Sequence, residues 1–316
     1  MESSGIKALK EVAKLTNVKP ITPEHVGFWL GPRLNAMGRL EHAIHCVELL
    51  TTLDGDKAGQ LAKQLDLENQ RRKIIQEKIY EEALAQISTN NLSHNKVLVL
   101  AKDNWHPGVV GIVASMLQEK YYRPVCMVAL EDSIGKGSAR SIPGFHLFKA
   151  LQGCEKHLLY YGGHELAAGF KIRQDQIPSF NEALNHRAET LLTPAQMQPS
   201  LEIASVITLD DINWKLFAEI EQIAPFGEGN PEPILASYNL EVVFNPPPSR
   251  CGGKKEHLRF MVRQNKSTFK VIAFNKGEWL DRLVLQKQCN LAFVIKKNNW
   301  LGTLSLELDV KDIQVE

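Results

Sequence analysis

The sequence lacks any apolar run approaching the roughly 18 residues needed to cross a bilayer. Its opening, Met1-Glu2-Ser3-Ser4-Gly5, has neither the basic n-region nor the apolar h-region of a secretory signal. No membrane association is expected, and a cytoplasmic location is. An excess of charge is missing too: Lys plus Arg number 37 against Asp plus Glu 36, a net charge of +1. Any nucleic-acid face must therefore be a local patch rather than a property of the whole chain. Clustered cysteine is also absent. Cys46, Cys126, Cys154, Cys251 and Cys289 are far apart, odd in number and form no C-x-x-C pair. That pattern argues against a zinc site or a disulfide framework and fits reduced thiols held mostly in cores. Neither an internal repeat nor a long low-complexity tract is visible, so extended disorder is not expected. What remains is ordinary globular sequence, 44% hydrophobic and 23% charged over 316 residues. At about 100–200 residues per domain this suits two domains with real cores.

Punctuation and periodicity divide the chain. Residues 5–50 read as short helices, the first carrying Ile6, Leu9, Val12, Ala13 and Leu15, with breaks at Pro20, Pro23 and Gly31-Pro32. Asp54-Gly55-Asp56 reads as a turn in which Asp56 caps the next helix. From Lys57 to Ile87 the residues Ala58, Leu61, Leu65, Ile75, Ile79 and Ala83 keep one helical face. Glu68, Arg71, Arg72, Lys73, Glu77 and Lys78 are read as its solvated remainder. Such a helix, roughly 45 Å long at 1.5 Å per residue, suits a bridge between two lobes. After a polar stretch at residues 88–95, Val97–Leu100 and Pro124–Leu130 read as buried strands around a helix at Val109–Tyr121. This βαβ order implies parallel strands. Two further helices are expected at Leu147–Leu151 and Phe180–Leu192. Thr193 to Ser200, with two prolines, reads as a linker. Beyond it, strands at His257–Arg263, Thr268–Asn275, Asn290–Lys297 and Thr303–Val310, with a turn at Asn298–Gly302, suggest a small antiparallel barrel.

Several segments could carry chemistry. Gly31-Pro32-Arg33-Leu34-Asn35-Ala36-Met37-Gly38-Arg39 puts two guanidiniums beside small residues. An arginine fork matches phosphate oxygens in pairs, and a rigid turn with solvated arginines explains the segment equally well. Gly135-Lys136-Gly137-Ser138-Ala139-Arg140-Ser141 reads as an anion cradle following a strand. It lacks the Walker A order, and a solvated basic hairpin is the alternative. Gly162-Gly163-His164 would expose a histidine at a sheet edge or helix start, although a lone histidine is more often a core residue. Trp105-His106-Pro107-Gly108 lies at a strand-to-helix junction, which places His106 near a helix N-terminus where anions are favoured. Trp105 is open to stacking on a base or, on local grounds better, to packing. From Arg250 to Lys276 there are eight Lys or Arg residues against the single acid Glu256, with Phe260, Phe269 and Phe274 interleaved. Basic strands with aromatics fit single-strand binding. Because Phe260 shares the parity of Leu258 and Val262, it is expected inward, so the arginines are the better DNA candidates.

Taken as an ordered set, GPRLNAMGR, WHPGVVGIVAS, KGSARSIPGFHLF, GGHELAAG, IAPFGEGNPEP and HLRF followed by IAFN resemble the RecJ family of DHH/DHHA1 single-stranded-DNA-specific exonucleases from about Gly5 onward. The resemblance implies residues 1–56 as the remnant after a DHH domain, a connector helix at 57–87, a DHHA1 domain at 88–195 and an OB-fold domain at 196–316. The fold class is thus α/β with parallel strands plus an all-β, OB-like barrel. It implies 5′→3′ hydrolysis of single-stranded DNA in recombination and repair, with Mn²⁺ or Mg²⁺ held by a DHH domain. By the same resemblance Ser138, Arg140, Arg33, Arg39 and, more weakly, His106 contact the 5′-phosphate or DNA, and His164 supports catalysis near the scissile nucleotide. On the barrel, Arg259, Arg263 and Lys270 are candidates for the DNA path.

The chain departs from the family in one respect: it contains no Asp-His-His. No metal ligand set is expected within it, and it should be inactive alone. The implied partners are single-stranded DNA, a DHH domain from another chain, and a single-strand-binding protein or repair helicase. Two other functions compete: a stand-alone single-strand-binding or partner-binding module, and part of a phosphodiesterase for oligonucleotides or cyclic dinucleotides. The basic barrel argues against the last, since a small substrate needs no strand guide.

Overall fold

The computed structural model describes residues 3–300 and 302–315; Met1, Glu2, Leu301 and Glu316 lie outside the described residues. The chain divides into two compact units, Met1–Pro199 and Ser200–Glu316.

The first unit begins with α1 (Ser4–Val12), α2 (Gly31–Leu40), α3 (Ile44–Thr51) and α4 (Gly55–Thr89). A π-helical segment, His25–Leu30, runs straight into α2. Gly31-Pro32 is therefore the junction of two helical segments and not the expected break. Pro32 follows directly on the π-helical turn, whose wider bonding, with the Gly31 N–H donated to the Val26 carbonyl, carries the chain past a residue that has no N–H to give. The cap of α4 is Asp54 rather than Asp56: its Oδ1 accepts from the N–H of Asp56 (2.9 Å) and of Lys57 (3.1 Å). At 35 residues, α4 is about 50 Å long and serves two cores. Its first half buries Ala58, Leu61, Ala62 and Leu65 against Leu9, Leu15, Met37 and Leu49. Its last turns bury Ile79, Ala83 and Ile87 against Leu98, Val113 and Leu117. Between the two apolar stretches the same stripe carries Asn69, only 2% exposed, and Arg72, seven residues from both Leu65 and Ile79.

Then come β1 (Leu98–Asp103), α5 (Val110–Tyr121), β2 (Val125–Glu131), β3 (Ile134–Arg140), α6 (Leu147–Gln152), β4 (Leu158–Gly163), β5 (Ala167–Arg173) and α7 (Ile177–Leu191). The sheet order is β1-β2-β3-β5-β4. Only β1 and β2 pair in parallel, across the α5 crossover, and the other pairs are antiparallel. Both faces of β2 are covered. Val125, Met127 and Ala129 meet α4 and α5, and Cys126, Val128 and Leu130 meet α6 and α7. This explains its unbroken apolar run.

Within the Gly135–Ser141 segment, residues up to Arg140 belong to strand β3, which pairs antiparallel with β2 as the second arm of a hairpin, so the hairpin weighed from the sequence is present and the cradle is not a loop. Gly135, Gly137 and Ala139 face the α6/α7 core. A Cβ added to Gly137 would lie 2.2 Å from the Phe170 ring, and one added to Gly135 would lie 2.3 Å from Val128. The alternate residues Lys136, Ser138 and Arg140 consequently share the opposite, α5 face.

The second unit comprises β6 (Ser205–Val206), α8 (Trp214–Gln222), β7 (Leu235–Val243), β8 (Ser249–Cys251), β9 (His257–Gln264), β10 (Ser267–Ala273), α9 (Leu280–Gln286), β11 (Gln288–Trp300) and β12 (Thr303–Gln314). The order is β6-β7-β11-β12-β10-β9-β8, and an additional β7–β9 pairing closes a barrel. The pairing is not wholly antiparallel as expected: β10–β12 and β6–β7 are parallel. Leu258, Phe260 and Val262 enter the core with Phe293, Leu308 and Val310, so Phe260 points inward as its parity requires. Asn298 and Asn299, expected in a turn, lie in β11 opposite Ser305 and Leu304. The Leu301 of that turn is outside the described residues.

Candidate anion site and nucleic-acid interface

Four of the expected phosphate-binding residues converge on the start of α5. Gly111 has no side chain, and an added Cβ would lie 2.7 Å from Ser138 Oγ and 3.3 Å from an Arg140 terminal nitrogen. That close approach brings the polar face of β3 against the first turn of the helix. Arg140 donates to Ser138 Oγ (3.2 Å) and to the Ala139 carbonyl (2.8 Å). Arg39, in the last turn of α2, donates to the Gly108 carbonyl (3.0 Å). The Gly108 N–H donates to His106 Nδ1 (3.1 Å), which fixes the ring just ahead of the helix. The N–H groups of Val110 and Ile112 are already taken by the His106 and Val109 carbonyls, so it is the helix dipole, with the guanidiniums and the Ser138 hydroxyl, that favours an anion at such a place.

Among the described residues neither Arg39 nor Arg140 has a carboxylate partner. Burial, and then the Arg39 charge, push Arg140 below the ordinary arginine value. Arg33 is different. Its Nε donates to Asp66 Oδ1 (2.8 Å), and its terminal nitrogens reach the Trp29 and Val12 carbonyls. Six residues apart on one helix, Arg33 and Arg39 point to different faces. Arg33 ties α2 to α4, whereas Arg39 is exposed beside the α5 turn.

Sequence reasoning missed Arg72, which it placed among solvated side chains. Arg72 is half-buried, donating to Gln76 Oε1 (2.7 Å) and Asn69 Oδ1 (2.9 Å). Its Nε is buried with no acceptor. The signal was present in the pattern, since polar residues occupy the apolar stripe of α4 at Asn69 and Arg72.

His164 follows the edge strand β4. Its N–H donates to the Ala167 carbonyl (2.8 Å), and Ala167 pairs with Arg140. The His164 backbone is thus two strands from Arg140, about 10 Å at ordinary strand spacing, and its side chain is exposed. Ser138 pairs with Gly169 and Gly169 with Gly162, so the face beside Ser138 is nearly bare of side chains. Exposed Lys136, Lys171 and Tyr160 border it. Trp105 is a packing residue. It is buried and donates to Glu82 Oε2 (2.7 Å), and this donor, more than neighbouring Lys102, holds the Glu82 carboxyl below the usual range.

On the barrel, Arg259 and Lys270 line a groove of about 720 Å³ with His257, Phe274 and Asn298. Phe274 is 52% exposed and meets His257 edge-on at 5.1 Å between centroids. Arg259 and Lys270 form no ion pair among the described residues. Arg263 is held by Glu241, with a closest contact of 2.8 Å. Arg250 and Lys276 are likewise paired, with Asp281 (3.2 Å) and Asp312 (2.9 Å). The basic run thus contracts to a smaller set of free cations, and the aromatic available for stacking is Phe274, not Phe260.

Residues 94–190 match the DHHA1 domain, and residues 203–312 match the RecJ OB domain. Over 97% of its length the chain is 36% identical to the single-stranded-DNA-specific exonuclease RecJ of Bacillus subtilis (strain 168), covering 39% of that protein. The chain belongs to the RecJ family. It is 35% identical to RecJ of Haemophilus influenzae over 98% of its length and 55% of the relative. A crystal structure of RecJ from Thermus thermophilus in complex with Mg²⁺ superposes with a TM-score of 0.82 at 29% identity, over 99% of this chain and 46% of that one. The chain therefore spans about half the length of the RecJ proteins it matches.

RecJ from Thermus thermophilus has been crystallised with Mg²⁺ and with Mn²⁺. The residues present here do not fit such an ion. Among the described residues no group of three or more His, Cys, Asp or Glu could hold a metal. The suggestive acidic pairs have other work. Asp54 caps α4, Asp211 closes a capping box with Thr208, and Asp210 accepts from Asn265 (3.1 Å). Among the described residues no helix is long and apolar enough to cross a membrane.

Proposed function

We propose that this chain is the DNA- and 5′-phosphate-gripping portion of a 5′→3′ single-stranded-DNA exonuclease, cytoplasmic and acting in recombination and repair. The observation that carries the reading is the pair of carboxylate-free guanidiniums, Arg39 and Arg140, set with Ser138 against the first turn of α5. The terminal phosphate sits there, with Arg39 rather than Arg33 as the α2 contact. His106 orients that turn through the Gly108 N–H. His164, about 10 Å along the sheet, lies toward the scissile nucleotide. On the barrel, Arg259, Lys270 and Phe274 guide the strand, while Arg263 contributes little because Glu241 already holds it.

Phosphodiester hydrolysis by metal ions needs convergent carboxylates or imidazoles, and these must come from outside the described residues. A DHH domain is the partner of that chemistry. The exposed apolar side chains of the N-terminal helices and their connection, Phe28, Ile44, Val47 and Leu53, suit a protein surface of this kind. The test is to incubate the chain with 5′-phosphorylated single-stranded DNA and Mn²⁺ while titrating binding in parallel. Binding without nucleotide release is expected. Metal-dependent release that survives repurification and is lost in His164→Ala would overturn the assignment.

The barrel groove makes a separate prediction. Arg259→Ala with Lys270→Ala should reduce the slope of log affinity against log salt for a long single strand by about 1.4, at about 0.7 per neutralised phosphate. Arg263→Ala should leave the slope unchanged. A double variant with the wild-type slope would remove the groove from the DNA path.

A further inference from the structure

We propose that Tyr160, on the edge strand β4, is the stacking platform of a base-binding subsite, and that one nucleobase of a single strand lies over Gly169 between Tyr160 and Ser138. The inference rests on the reading of this chain as a gripper of single-stranded DNA and adds to it a contact to a base rather than to a phosphate.

Strand register builds the place. On the α5 side of the sheet Ser138 pairs with Gly169 and Gly169 with Gly162, while Lys136 pairs with Lys171 and Lys171 with Tyr160. A β-bulge puts Tyr160 on this side. Leu158 opposes Ile172 but Tyr160 opposes Lys171, so Leu159 is the extra residue. Without it Tyr160 would oppose Phe170 and point into the α6/α7 core. Bulges re-aim side chains in this way. The Tyr160 side chain then lies forward along its own strand. A Cβ added to Gly162 would stand 3.4 Å from its Oη, 3.8 Å from Cζ and 4.0 Å from Cε1. Tyr160 nonetheless stays 65% exposed, and among the described residues its side chain makes no hydrogen bond or ring contact. A large aromatic is thus held in place without being buried.

The floor beside it is empty. A Cβ added to Gly169 would have one atom within 4 Å, the Gly137 carbonyl oxygen at 3.8 Å. Neither Gly162 nor Gly169 has the positive φ that favours glycine, and neither meets the clash that forces glycine at Gly135 and Gly137. A glycine inside a strand weakens it, and where packing does not demand one it marks the close approach of another group. α6 and α7 cover the opposite face, which leaves this one open. From Ser138 on β3 to Gly162 on β4 is two strand spacings, about 10 Å, room for one nucleotide laid against the sheet. Charge names the occupant. Lys136 and Lys171 border the floor, both exposed and neither in an ion pair among the described residues, and Arg140 pairs with Ala167 at its other side. An aromatic platform flanked by unpaired cations suits a ligand that is planar and anionic at once, as a nucleotide is.

The experiment measures affinity of the full chain for hexathymidylate, either intact or with one abasic tetrahydrofuran residue at each position in turn. For wild type, one position should cost about tenfold more than its neighbours, within the range by which a stacked base strengthens binding. Tyr160→Ala should weaken the intact strand about tenfold and abolish the penalty at that position. Tyr160→Phe keeps the ring and should keep both the affinity and the penalty. Gly169→Val, which fills the floor, should reproduce the loss with a melting temperature no lower than wild type, since a β-branched residue suits a strand. Thermal melts check that each variant folds. A folded Tyr160→Ala with wild-type affinity, or with the same fractional loss for the intact strand and for every abasic strand, would sink the proposal. Arg140→Ala separates the underlying reading. If it weakens binding while Tyr160→Ala does not, only the base subsite falls. If wild type itself fails to bind hexathymidylate, the single-strand reading fails and the subsite with it.

Discussion

Arg140→Ala weakens binding to a 5′-phosphorylated strand by about 100-fold and to a 5′-hydroxyl strand only a few-fold. The size follows from the loss of a two-pronged guanidinium contact with a phosphate. Hydrogen bonds to charged groups contribute about 1.5–3 kcal/mol each, so two of them correspond to at least about 3 kcal/mol, or roughly two decades in affinity. The selectivity follows from position. Arg140 ends β3 against the first turn of α5, a place suited to one compact anion rather than to a long backbone. The substitution should cost the fold little, because among the described residues the Arg140 side chain bonds only to Ser138 and to the carbonyl of its neighbour Ala139. No ion pair is broken, and one of several crowded like charges is removed. Titration of both strands by fluorescence anisotropy, beside a thermal melt, checks each part. Equal weakening on the two strands would mean that Arg140 contacts DNA without reading its end.

What the sequence shows of this architecture depends on how locally each element is determined. The β1–α5–β2 unit is legible because its strands are unbroken apolar runs and Pro107 marks the approach to the helix. The long helix is legible from its stripe. Strand β3 is not, since Gly135 and Gly137 have low strand propensity. They are tolerated in a strand because β2 and β5 pair on either side and because Phe170 and Val128 fill the space their side chains would take. Arg33 and Arg39 are indistinguishable while their segment is read as a turn. Once the segment is understood as helical, their separation of six residues sends them to different faces, one to Asp66 and the other to the α5 turn. The barrel shows the same limit. Parity alone puts Phe260 in the core, but the pairing of Arg263 with Glu241 joins residues 22 apart in sequence, and only the β7–β9 register brings them together. Arg72 was readable in principle. The series of apolar positions along α4 skips from Leu65 to Ile75, and a charged residue at the seven-residue repeat of Leu65 and Ile79 belongs to the buried stripe.

Gly111→Ala separates folding from binding. In a helix interior, alanine is favoured over glycine by up to about 1 kcal/mol, and Gly111 sits in the first turn of α5, where the gain is smaller. The added Cβ meets Ser138 Oγ at 2.7 Å, while the next contacts, an Arg140 terminal nitrogen and Ser138 Cβ, lie at 3.3 and 3.5 Å. A serine hydroxyl moves by a single χ1 rotation, so the clash can be relieved without shifting backbone. Stability should therefore stay within about 1 kcal/mol of wild type, a few degrees in Tm for a domain of this size. Binding does not escape so easily. The rotated hydroxyl gives up its bond from Arg140 and leaves the space beside the α5 N–H groups, and the new methyl occupies part of it. Affinity for the 5′-phosphorylated strand should fall at least tenfold, a loss of about 1.4 kcal/mol, with little change for the 5′-hydroxyl strand. The double variant Gly111→Ala with Ser138→Ala tests the cause. If the clash acts through Ser138, the two losses are non-additive, as expected for residues in contact, and the double variant binds no worse than Gly111→Ala alone. A Gly111→Ala protein with wild-type melting and wild-type phosphate preference would show that the close approach of α5 to β3 does not shape the anion site. Strictly additive losses would mean that Gly111 and Ser138 act on the ligand independently, through the helix turn and the strand.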